Sequence, residues 1–310
     1  MRFPFEIDRT KVLDVVGFGT NAVDFLIQVP EYPKFNSKIE LSSYLQAPGG
    51  EAATTVAGLT RLGLRTAYIG RFGDDAAGRI GLQSLEAEGV DLSFAETVPG
   101  VATQIAFIII DERSGERTVI WQREAGLSYT RGDAPLAAAA TGKVLHFTPH
   151  DVEACIAMAA AAKQTGTIVS IDVDNIFQGI EELLSLVDIL ITSADFLPKF
   201  TGIADHENAL ATIQERFGSG VAGVTLGEKG SLLRAGGNFV RTDGMAVPGG
   251  CKDTTGAGDS FRVGLLYGLL TDMTVEDAAR AANAVAALKC RALGARTALP
   301  NASELLEFLQ

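Results

Sequence analysis

The stretch Asp253-Thr254-Thr255-Gly256-Ala257-Gly258-Asp259-Ser260-Phe261 discloses more about this chain than any other. Small residues lead directly into Phe261-Arg262-Val263-Gly264-Leu265-Leu266-Tyr267-Gly268-Leu269-Leu270, which reads as an apolar helix. Backbone N–H groups of Gly256, Ala257 and Gly258 at a helix N-terminus make an anion site that needs no lysine. Asp259 then lies beside the bound anion. A carboxylate is electrostatically unfavourable as a phosphate ligand, but it suits a proton acceptor for a hydroxyl that attacks that phosphate. The plainer alternative is an aspartate that caps the helix.

Upstream, short β-branched runs alternate with alanine-rich helical runs. Val12–Val16 reads as a first buried strand, and Glu51–Leu62 as a helix closed by Gly63. Thr66–Ile69 and Gly78–Glu88 repeat the pair. Val144–Phe147, Ile168–Asp172, Ile189–Ile191 and Ala222–Leu226 are further strands, with helices over Asp151–Thr165 and Ile180–Leu186 between them. The alternation predicts a parallel sheet covered by helices on both faces. Two stretches break the rhythm. Phe25–Ala47 alternates like exposed sheet, and Ala102–Gln122 reads as a hairpin turned at Glu112-Arg113-Ser114-Gly115. They form either a small separate antiparallel sheet or edge hairpins of the main one.

Two further glycine motifs precede these. Gly17-Phe18-Gly19-Thr20-Asn21-Ala22 imitates a dinucleotide-binding turn, with Glu40 near the distance of a ribose carboxylate. The β-branched Val23–Pro30 that follows is no helix, which argues against that reading. Pro48-Gly49-Gly50-Glu51 opens a helix and lets backbone approach a ligand, with Glu51 suited to the positive helix start. Thr225-Leu226-Gly227-Glu228-Lys229-Gly230 supplies another tight turn after a strand. There is no P-loop, no G-x-S-x-G elbow, and His146, His150 and His206 offer no zinc cluster.

The bulk properties narrow the class. A net charge of −12, with no offsetting basic cluster, repels nucleic acid. The longest apolar run, Ile105–Ile110, is far short of the roughly 18 residues of a membrane helix, so no membrane partner is expected. The N-terminus lacks the apolar core of a signal peptide, and the three scattered cysteines suit a reducing cytoplasm.

With these motifs in view, the chain resembles the ribokinase-like (PfkB) family of carbohydrate kinases over nearly its whole length. The resemblance rests on Asp253–Phe261, the Gly49-Gly50 helix, Gly70–Gly78 and Thr225–Gly230, in the family's order and spacing. It implies a three-layer α/β/α domain, Rossmann-like, spanning residues 1–310, with a β-sheet lid from about 25–47 and 102–122. By position, Asp259 resembles the catalytic base, and Gly256, Ala257 and Gly258 the anion hole for the transferring phosphoryl group. Asp24 is similar to the carboxylate that holds sugar hydroxyls; Gly49, Gly50 and Thr54 fall in the sugar pocket. Thr225, Gly227 and Asn283 match nucleotide contacts. Asp253, Thr255 and Gly294 match a monovalent-cation site, so K⁺ is expected beside ATP and Mg²⁺.

Two departures qualify the resemblance. Thr54 replaces the usual sugar-binding asparagine, changing the hydrogen-bond inventory. The frequent N-x-x-E element, linked to magnesium, falls at Ser193-Ala194-Asp195-Phe196, where only Asp195 could act, through water. The expected activity is phosphorylation of a primary hydroxyl of a fructose-, ketohexose- or ribose-like sugar, by a homodimer joined through its lids. A nucleoside kinase is the alternative, because Phe25, Phe35, Tyr44, Phe107 and Trp121 could stack a base. A catalytically silent sugar-binding protein is the other.

Overall fold

Consecutive apolar residues in the strands serve two cores at once. Val15 and Val16, Val144 and Leu145, Ile168 and Val169, Ile189 and Leu190, Val221 and Ala222 are sequence neighbours that pack into different clusters. That is the period-two pattern of a sheet buried on both faces. A computed structural model describes residues 1–310. The chain begins β1 (Leu13–Phe18), β2 (Ala22–Val29), β3 (Ser43–Gly49), α1 (Glu51–Arg61), β4 (Thr66–Gly73), α2 (Ala76–Glu88). Then come β5 (Ala95–Val98), β6 (Ile105–Asp111), β7 (Arg117–Gln122), α3 (Leu136–Ala139), β8 (Gly142–Phe147) and α4 (Val152–Gln164). The next segments are β9 (Ile168–Val173), α5 (Ile180–Leu184), β10 (Ile189–Ser193), α6 (Phe196–Thr201), α7 (His206–Phe217) and β11 (Val221–Thr225). It closes with β12 (Ser231–Ala235), β13 (Asn238–Thr242), α8 (Ala257–Leu270), α9 (Val275–Lys289) and α10 (Ala302–Leu309).

Nine strands make the main sheet in the order β13-β12-β11-β10-β9-β8-β1-β4-β5. All neighbours are parallel except β11/β12 and β12/β13, the hairpin turned at Gly236-Gly237 that ends one edge. Helices α4 to α7 cover one face, against Leu145, Val169, Leu190 and Ala222. Helices α8, α9 and α10, with the end of α1, cover the other. The three-layer α/β/α arrangement follows.

The irregular stretches build a separate four-stranded sheet, β3-β2-β6-β7. It is not wholly antiparallel: β2 and β6 run parallel, from Val23↔Ile105 to Val29↔Asp111. Asp24, Leu26, Ala47, Ala106, Ile108 and Arg117 share its inner face, while Phe25, Tyr44, Phe107 and Ile120 share the outer one. A strand, not a helix, follows Gly17–Ala22, as Val23–Pro30 required.

Helix α8 lies unusually near its neighbours. A Cβ on Gly58 of α1 would meet Val263 Cγ2 at 2.6 Å, and one on Gly264 would meet Ala282 Cα at 2.5 Å. The second contact is with backbone of α9 and cannot be relieved by a rotamer. Gly264→Ala should therefore cost about 1–3 kcal/mol by overpacking and lower the melting temperature by several degrees. An unchanged melt would show that α8 and α9 part freely.

Candidate active site

Two helices begin side by side at the C-terminal edge of the sheet, where ligands bind in open α/β folds. α1 starts after Gly50 and α8 after Gly256. Both N-caps lack a side-chain acceptor. Glu51 N and Ala53 N donate to Thr20, and Ala257 N donates to the Thr254 carbonyl, which leaves the other N–H groups of the two first turns to a ligand. Gly50 is held at φ +92°, and a Cβ there would meet Asn21 Cα at 2.4 Å. At Gly49 a Cβ would fall 2.0 Å from Asp24 Oδ2. The glycine pair thus lets the lid carboxylate lie directly against the entrance of α1.

Asp259 occupies the third position of α8. It is not the helix cap: Gly256 holds that place, and no hydrogen bond is among the influences on the Asp259 carboxyl. Burial pushes its pKa up from the ordinary carboxylate range, and Arg262, one turn further on, pulls most strongly the other way. Arg262 is buried; its Nη1 donates to the Gly258 carbonyl at 2.9 Å and its Nη2 to Asp172 and, at 3.3 Å, to Ile191 O. Asp24 is likewise buried and receives no hydrogen bond, and burial pushes it up to about 7, with Arg296 as the largest opposing influence.

Glu51, at the first position of α1, faces the cleft: the walls enclose it, yet 38% of its side chain stays accessible. Burial raises its pKa well above normal, reinforced by Asp259, Asp174 and Asp172. His150 Nδ1 lies 3.8 Å from Glu51 Oε2 and has no hydrogen-bond partner. Trp121 of the lid and Phe177 complete an aromatic wall around that ring, at centroid separations of 6.0 and 5.6 Å.

The lid hairpin touches the loop ahead of α8. The Gly115 carbonyl accepts from Thr254 N at 3.3 Å and Oγ1 at 3.1 Å, and Arg117 Nη1 donates to Thr254 Oγ1 at 3.0 Å.

Several expected site residues take other places. Thr54 is fully buried and accepts from Arg296 Nε at 3.3 Å, so it supports an arginine instead of lining the pocket. Arg296 also donates to Ser84 Oγ at 3.1 Å and to the Gly49 carbonyl, filling the space beneath the glycine pair. Asn283 spends its amide on Ser231 Oγ, Thr242 O and Asp243 O, and so ties α9 to the end of the β12–β13 hairpin. Thr225 and Gly227 lie on the cleft edge after β11, with open space over Gly227. Phe196 is core, stacked on Phe200 at 5.1 Å, and Ser193 closes β10. At the expected monovalent-cation position, Asp253 is joined by Lys289.

Arg262, Arg296, Arg117 and Lys289 escape a reading by motif. Arg262 did carry a signal, being a lone charge in an apolar helical run. Arg296 carried none.

A large, mostly parallel sheet flanked by helices, with two glycine-opened helices beside a small lid-like sheet, is the architecture of the ribokinase fold. Residues 13–302 match the pfkB family of carbohydrate kinases, and the chain belongs to that family. A ribokinase of Haemophilus influenzae is 29% identical over 97% of this chain and 99% of its own. A nucleoside kinase of Methanothermobacter thermautotrophicus is 25% identical over 95% of this chain and 94% of its own. A Vibrio cholerae fructokinase double mutant, solved with fructose, ADP and potassium, is 28% identical, with a TM-score of 0.78 over 97% of this chain and 99% of that one. The chain is therefore a sugar or nucleoside kinase, a phosphotransferase acting on a hydroxyl group.

Two titrations follow from this geometry. A base works deprotonated, so activity falls as pH drops through its pKa. Arg262→Gln removes the main influence holding Asp259 down, and the acid limb of the kcat/KM profile should move up by roughly one pH unit. Arg262→Lys should keep it near its original position. Asp24 has a folded-state pKa of about 7, above its unfolded value. Its contribution to stability is present below the unfolded pKa and lost as pH rises through about 7. Asp24→Asn should accordingly raise the melting temperature at pH 8 by several degrees and change it little at pH 4.5.

Proposed function

We propose that the chain transfers the γ-phosphoryl group of ATP to a primary hydroxyl of a monosaccharide, with fructose- or ribose-like sugars as substrates. The observation that carries this reading is an uncapped, hydrogen-bond-free Asp259 at the start of α8, facing a second free carboxylate, Asp24, on the lid. Asp24 would accept hydrogen bonds from sugar hydroxyls and orient them. The attacking hydroxyl would give its proton to Asp259 as its oxygen bonds to phosphorus and the bond to ADP breaks. Charge developing on the phosphoryl oxygens would meet the N–H groups of Gly256 and Gly258, with that of Ala257 joining only on release from the Thr254 carbonyl, to which it donates at 3.1 Å. Thr225 and Gly227 would border the nucleotide, and Asn283 would shape its floor through the hairpin.

Magnesium fits the cleft only loosely. No three His, Cys, Asp or Glu side chains converge on one ion position. Glu51, with like charges around it and only His150 nearby, whose pKa burial lowers, is the group best placed to favour a divalent ion, directly or through water. Such an ion supplies neutralisation of the phosphate charge; most of its ligands would come from phosphates and water.

One observation favours a second reading, a nucleoside substrate. Trp121 is 56% exposed on the inner lid face, against His150 and Phe177, where a heterocycle could stack. Assaying ADP release over a panel of sugars and nucleosides separates the two. The outer lid face, where Phe25 stacks on Tyr44 and Phe107, suits a homodimer through the lids. Phe107→Asp should then shift the sedimentation coefficient to that of a monomer.

Asp259→Asn tests the catalytic assignment. The variant should fold and bind ATP, while kcat falls by about 10²–10⁴-fold. Turnover near wild type in folded protein would remove Asp259 from the mechanism and favour a binding role.

A further inference from the structure

Asp253 stands at the head of the anion-hole loop and is completely buried, as is Lys289 at the end of α9. Every strong acceptor of Asp253 is engaged from within the chain. Oδ1 accepts from Thr255 N at 2.8 Å, and Oδ2 accepts from Gly294 N at 2.8 Å. The backbone carbonyl accepts from Lys289 Nζ at 2.8 Å, and the same ammonium lies 3.7 Å from Oδ2. Two residues on, the Thr255 hydroxyl oxygen is buried without a partner. One hydroxyl does not make a coordination shell. A second cation beside Asp253 would also face the ammonium across a few ångströms of low-dielectric interior.

We infer that the ammonium of Lys289 permanently occupies the place of the monovalent cation, so that this kinase is built to work without K⁺. The lysine bridges the anion-hole loop, through Asp253, to the helix that leads into the 290–296 loop. Gly294 N completes the connection from the other side. The positive charge beneath the loop is thus covalently supplied. It cannot be lost by dilution or exchanged for a smaller ion.

The inference rests on the kinase reading for its activity arm only; a binding arm stands apart from it. Wild-type turnover should change less than twofold when KCl is replaced by tetramethylammonium chloride at equal ionic strength, and the melting temperature should not respond specifically to K⁺. Lys289→Ala frees the Asp253 carbonyl and opens space beside it. This variant should lose activity in tetramethylammonium and regain at least tenfold in KCl, with a K⁺-dependent rise in melting temperature. Lys289→Met removes the charge but keeps the space filled, so K⁺ should restore neither property.

Several-fold activation of the wild type by K⁺, or a K⁺-specific rise in its melting temperature, would overturn the inference. So would a folded Lys289→Ala variant indifferent to K⁺. If the alanine variant does not fold, the wild-type salt comparison and the folded methionine variant still decide. A wild type inactive in every salt would refute the kinase reading, leaving the melting response of wild type and variants to judge the cation site.

Discussion

The site depends on how closely α8 can approach the two helices beside it. Gly58 admits Val263 from one side, and Gly264 and Gly268 admit Ala282 and Ala278 from the other. With larger residues at these points α8 would stand off, and its first turn would no longer begin beside the first turn of α1. The arrangement concentrates the positive ends of two helix dipoles at one sheet edge. The chemistry the site can offer follows from what the two first turns carry: Glu51 on one, Asp259 on the other, and the N–H groups that Thr20 and Thr254 leave unbonded.

Such a site is electrostatically expensive. Glu51, Asp172, Asp259 and Asp24 all have their pKa values raised, chiefly by burial. Two buried arginines limit the cost without filling the cleft. Arg262 lies below the sheet-side carboxylates and bonds Asp172, while Arg296 lies below the glycine pair and influences Asp24. Both are anchored by backbone carbonyls or hydroxyls, so their charge is fixed and their donors are largely spent. Arg117 differs: it is exposed, comes from the lid, and makes one hydrogen bond.

Much of the fold was legible because period-two strands and glycine-terminated helices announce themselves locally. Strand ends were read short, as at β4 and β8, because parallel pairing continues beyond the β-branched run, with β5 from Gly70 to Gly73 and with β1 at Gly142. The β12–β13 hairpin went unread although its Gly236-Gly237 turn was a usable signal. α6 is short and contains Pro198, and α7 went unread although Asp205 caps it and Ala209, Leu210 and Ile213 fall on one helical face. Within the site, residues presented by backbone motifs could be placed by order alone. Arg296 could not, since its meaning comes from contacts with Thr54, Ser84 and Gly49, about 210 to 250 positions away in the chain. The same holds for Thr54, whose part is plain only once the Arg296 guanidinium that donates to its hydroxyl is seen.

The contact between the Gly115 carbonyl and Thr254 has a kinetic meaning. Water is also a hydroxyl nucleophile, and a kinase whose phosphoryl site were complete without its acceptor would squander ATP by hydrolysis. Here the loop that leads into Gly256 is braced by a carbonyl and an arginine from the lid. Whatever lifts the lid withdraws both supports together. On the proposed reading, acceptor binding under the lid and organisation of the phosphate-binding turn would be one equilibrium, coupling fidelity towards the acceptor to thrift with the nucleotide through two residues that never need to touch the sugar.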